Sequence, residues 1–115
     1  TRIEARFPDP SCNPYLAFAC LIGAGLAGVR EELTPPDRVE DDVYHLTASI
    51  RRERGIGALP GDLDEALTRF DASALCRSVL GDHVFRKVAA NARREIDDFR
   101  LAVTDWEIAR YLGRV

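Results

Sequence analysis

The feature that most limits how this chain can fold is the run YLAFACLIGAGLAGV over residues 15–29, fifteen residues without a charge. Asn13 and Pro14 precede it as a helix cap and a first-turn residue, so the run is predicted to be a helix. Because it is apolar almost all round, it is expected to sit centrally, with Gly23, Gly25 and Gly28 where neighbours approach closely. The uncharged stretch from Ser11 to Val29 is only marginally long enough to cross a bilayer and contains Asn13, Pro14 and the three glycines, so a membrane span is not expected. A helix of this kind needs cover from several sides. The short segment before it cannot provide that, which predicts self-association or partial disorder in the 115-residue chain, above all between Pro35 and Pro60.

Around that helix the chain reads as mostly helical. Residues 1–7 are extended, with Arg2, Glu4 and Arg6 on one face and Ile3 and Ala5 on the other at strand period. The segment 14–32 is the buried helix, and Pro35 and Pro36 open a loop over 33–61. Helices fill 62–80, beginning where Asp62 and Glu65 have capping-box spacing, with Leu63, Ala66, Leu67 and Phe70 on one face. Gly81 stops them. A helical tail over 82–112 places Val84, Val88, Ile96 and Phe99 near one side. Thr104 and Glu107 cap its last helix, in which Trp106 is expected to anchor the core.

Composition excludes several classes of function. A net charge of −3 gives no general reason to expect a polyanion, and the Arg51–Arg54 run lacks interleaved aromatics, so no nucleic-acid partner is predicted. Cys12, Cys20 and Cys76 form no close metal-ligand spacing and cannot all pair, which suits reduced thiols. With no secretory pattern in the first residues, the expected localisation is cytoplasmic. His45 and His83 share no ligand spacing with the cysteines. The triplet Arg2, Glu4 and Arg6 offers one carboxylate for a divalent cation and two guanidiniums for carboxylate or phosphate, though spacing alone favours a solvent-facing edge strand with self-compensating charges.

RIEARFPDPSCNPYLAFACLIGAGLAGV, followed in order by PPDRVEDDVYHL, GIGALPGDLDEAL, LGDHVF and VTDWEIARYL, resembles the glutamine synthetase family over essentially the whole chain. The resemblance implies an α+β fold, of which this chain is a mostly helical C-terminal segment of the catalytic domain beginning on a single β-strand. It implies a parent ligase that uses ATP and Mg²⁺ or Mn²⁺ to join ammonia to glutamate through γ-glutamyl phosphate, in a homo-oligomeric ring. Glu4 matches a metal ligand, Arg6 the arginine that contacts glutamate or its phosphorylated intermediate, and Arg2 one near nucleotide phosphate. Tyr44 aligns with a tyrosine that some bacterial members modify by adenylylation, but its flanks, DDVYHLTAS, depart from that pattern. The 115 residues alone are expected to be inactive. Two other readings stay open: a γ-glutamyl ligase using another amine, and a non-catalytic helical protein-interaction domain.

Overall fold

The computed structural model describes residues 2–113, which form two compact units divided after Gly61. The first unit holds α1 (Pro14–Arg30), a single 3-10 turn (Val43–His45) and α2 (Ala48–Glu53). The second holds α3 (Leu63–Asp71), α4 (Ala74–Leu101) and α5 (Asp105–Tyr111).

No strand is present among the described residues, which corrects both the expected β-strand at the start and the α+β class. A strand is defined by backbone hydrogen bonds to a neighbour, and every regular element here is a helix that satisfies its own backbone. Residues 2–7 therefore carry no regular structure. Thr1, which begins the expected strand, lies outside the described residues.

α1 begins where Asn13 accepts the N–H groups of Tyr15 at 3.0 Å and Leu16 at 3.3 Å. It ends with Leu33 N–H donating to Gly28 O at 3.0 Å while Glu32 takes φ 51°, a left-handed closure more often made by glycine. Its expected burial is not found. No residue of α1 is buried, and Phe18, Ile22 and Val29 are exposed. Nor do Gly25 and Gly28 mark close approach, since a methyl group at either would meet open space. A helix this apolar would need cover on several sides, and the other elements of its unit are too short to supply it.

The segment 33–61 is more ordered than an open loop. Asp42 accepts the N–H of Tyr44 at 3.0 Å and Thr47 that of Ile50 at 3.3 Å, starting the 3-10 turn and α2. An ion pair between Arg54 and Asp41 then links the residue after α2 to the one before the Asp42 cap.

The second unit has the core. Phe85 and Ala89 of α4 and Leu67 of α3 are buried, and the ring of Phe85 stacks on Phe70 with centroids 4.4 Å apart and planes at 14°. Ion pairs from Asp64 to Arg100, at 2.7 Å, and from Asp71 to Arg93 link α3 to the later part of α4 in antiparallel order. As expected, Gly81 stops the first helical stretch of α4: it takes φ 72° and ψ 155°, a region open essentially to glycine alone, and a second stretch begins after it. Arg77 bridges the break: it bonds Asp82 at 2.8 Å and lies 4.3 Å over the ring of Phe85. After the break the inward stripe runs through Phe85, Ala89, Ala92 and Ile96, with Val84 and Val88 half-buried at its side and Phe99 exposed.

α5 carries the full reciprocal cap, with Thr104 Oγ1 accepting Glu107 N–H at 3.3 Å and Glu107 accepting Thr104 N–H at 2.8 Å. Trp106, expected as a core anchor, is 63% exposed and packs instead on Tyr111 and Arg110 of its own helix. Short, terminal and amphipathic, α5 places that ring beyond the reach of the α3–α4 core.

Stability should reflect this division. Phe85→Ala is expected to cost about 3 kcal/mol or more, whereas Trp106→Ala should cost less than about 1 kcal/mol. Gly81→Ala should cost about 1–3 kcal/mol by forcing a Cβ into the glycine-only region. Denaturant unfolding of the 115-residue chain checks all three, and equal losses at Phe85 and Trp106 would contradict the assignment of the core.

Acid should loosen the same unit. Hydrogen bonding from Arg77, reinforced by its charge, holds Asp82 below the ordinary 3.8, and the N–H and then the hydroxyl of Thr104 hold Glu107 below 4.5. Carboxyls with depressed folded values stabilise the fold above their ordinary values and lose that contribution as pH falls through the depressed ones. Thermal unfolding measured down through pH 4.5 and 3.8 should therefore show a steeper fall for the native chain than for Asp82→Asn. Identical slopes would count against it.

Candidate functional site

Residues 7–13 join the charged triplet to α1. Pro8 restricts Phe7 to extended backbone, and Pro10 does the same for Asp9. Asp9 then turns the chain, accepting the N–H of Ser11 at 2.7 Å and its hydroxyl, while Cys12 N–H donates to Asp9 O at 3.0 Å. The Ser11 hydroxyl and then its N–H hold the Asp9 carboxyl below the usual carboxylate range. Asn13 caps α1 directly afterwards. Ala5 and Arg6 line an open groove of about 390 Å³ with Pro8, Phe18 and Leu21.

The structure brings Arg2, Glu4 and Arg6 together. Arg6 Nε donates to Glu4 Oε1 at 2.6 Å, and Arg2 Nη2 stands 3.8 Å from Glu4 Oε2. The arginine side chains are 87% and 86% exposed and that of Glu4 50%, so the pairs are solvated and contribute little to stability. Their value is geometric. One carboxylate lies between two cations that extend past it into solvent, an arrangement suited to meeting an anion with fixed donors.

Glu4 provides a hard oxygen donor of the kind Mg²⁺ takes, and its Oε2 is only loosely engaged. It fits one position of a cation site. Among the described residues no group of three or more His, Cys, Asp or Glu side chains could hold a metal ion, so further ligands would have to come from outside this set.

Tyr44 sits apart from the triplet in sequence, on the 3-10 turn, with its side chain 93% exposed. Asp42 holds its backbone and also faces His45 at 3.4 Å. No helix among the described residues is long and apolar enough to cross a membrane.

Alternate spacing places the three charged side chains on one face, and Pro8 and Pro10 mark the turn that follows them. The signal for that turn is present in Asp-Pro-Ser, where an aspartate two residues before a serine can close an Asx turn. The bond from Arg6 Nε to Glu4 has no signal beyond the alternate spacing.

Residues 1–111 match the family described as glutamine synthetase, catalytic domain. Among curated proteins, the glutamine synthetase of Methanocaldococcus jannaschii is 43% identical over 112 residues, 97% of this chain and 25% of that protein. That of Clostridium saccharobutylicum is 45% identical over 114 residues, covering 99% and 26% respectively. That of Thermotoga maritima is 44% identical over 112 residues, covering 97% and 26%. The chain thus spans about a quarter of the length of the curated relatives it matches. With a match across both units, including the Arg2–Glu4–Arg6 segment and every helix, the chain belongs to the glutamine synthetase catalytic-domain family.

Proposed function

We propose that these residues form the C-terminal part of the catalytic domain of an ATP-dependent ligase that joins ammonia to glutamate through γ-glutamyl phosphate. Family membership over residues 1–111 supports the reaction class; the roles are those the resemblance implies, and the juxtaposition of Glu4 with two exposed arginines is in keeping with them.

On this reading Arg6 binds the glutamate carboxylate and its phosphorylated form, because a planar guanidinium meets two oxygens at once. Arg2 faces the nucleotide phosphates. Glu4 offers one oxygen to a divalent cation, Mg²⁺ or Mn²⁺, completed by donors elsewhere in the enzyme; when bound, that ion offsets the charge of the phosphates. The chemistry required of this chain is positioning and charge compensation, with no covalent step on any of its side chains. The exposed apolar face of α1 suits burial against the rest of a larger catalytic domain and a ring of subunits. Tyr44 is 93% exposed on its turn in this chain, which leaves it sterically open to modification here. A cytoplasmic setting suits a ligase that consumes ATP.

Two measurements test this. In a full-length enzyme carrying this chain, Glu4→Gln should lower ATP-dependent glutamine formation by about a hundredfold or more; near-native turnover would refute the role of Glu4. The isolated 115 residues should show no turnover, since one carboxylate cannot assemble the cation site. Glutamine formation at ordinary enzyme concentrations by the isolated chain would overturn the proposal.

A further inference from the structure

Arg6 is held by one specific atom. Its Nε–H donates to Glu4 Oε1 at 2.6 Å, while Glu4 Oε2 makes only the 3.8 Å approach to Arg2. A guanidinium carries its five N–H donors in one rigid plane, so anchoring Nε fixes that plane and leaves the Nη1–Nη2 end for a second acceptor. At 86% exposure that end is accessible. An unanchored arginine on the surface would lose its rotamer freedom each time it gripped an anion; one already anchored loses less.

We propose that Glu4 is a positioning residue for Arg6. Its Oε1 orients the guanidinium so that Nη1 and Nη2 face the glutamate carboxylate end-on before any cation arrives, and its Oε2 stays open as a cation ligand. One carboxylate then serves both halves of the site, and orientation of the arginine does not wait for the metal. This inference rests on the reading of Arg6 as the glutamate-binding residue.

The test is calorimetric titration of glutamate into the full-length enzyme, once with Mg²⁺ and once with a chelator. Glu4→Ala should weaken the metal-free affinity by about three- to tenfold. Glu4→Gln, which keeps an oxygen where Oε1 stood, should recover most of that loss, a pattern that a pure metal ligand would not produce. Arg6→Lys, which keeps the charge but lacks both Nε and the Nη1–Nη2 pair, should lose more, and adding Glu4→Ala to it should cause no further loss. Native metal-free affinity in Glu4→Ala, or no metal-free binding by the native enzyme, would overturn the proposal. If instead Arg6→Ala leaves glutamate affinity unchanged under both conditions, the underlying reading of Arg6 fails.

Discussion

Burial of the Phe85 ring against Phe70 is the contact on which the ordered packing of this chain depends. Aromatic rings remove much area from water, and a stacked pair adds a geometric preference to that burial. Around it the second unit adds charge in useful places: Arg77 covers the ring and is tied to Asp82 across the Gly81 break, and two aspartate–arginine pairs align α3 with α4. The first unit has no comparable centre. Its α1 is the more apolar helix, yet none of its residues is buried.

This asymmetry bears on function. The charged triplet lies in the unit with no buried residue among those described, and its own contacts are the two exposed pairs of Glu4 with Arg6 and Arg2. Such exposed bonds add little global stability. A site made this way gains its rigidity from what packs over it. On the proposed reading, the exposed face of α1 receives that cover from the remainder of the enzyme, consistent with a chain that spans about a quarter of its relatives' length.

Much of the helical organisation was legible because caps are local. Asn13 before Pro14, Asp62 three residues before Glu65 and Thr104 three before Glu107 each bring acceptor and donor together within one turn, and the structure shows those bonds. Burial was not legible, since it depends on what lies opposite. The run over 15–29 has every mark of an interior helix and stands uncovered, and Trp106, a natural core residue by type, lies 63% exposed on α5. The strand failed for the same reason: alternation of Arg2, Glu4 and Arg6 describes a face, whereas a strand exists only with a partner. In the site, period two predicted that the three side chains meet, and charge predicted attraction. Which arginine nitrogen engages which carboxylate oxygen is a matter of rotamers, on which spacing is silent.

Glu4 and Arg6 facing one reaction site from a single short segment is the claim on which the proposed function turns. A crystal structure of the full-length enzyme with Mg²⁺ and glutamate tests it most directly. The predicted result is a Glu4 oxygen about 2.1 Å from the cation, with the Nη1 and Nη2 atoms of Arg6 on a substrate carboxylate. A cation and substrate bound by other residues, with Glu4 and Arg6 paired in solvent away from both, would contradict it.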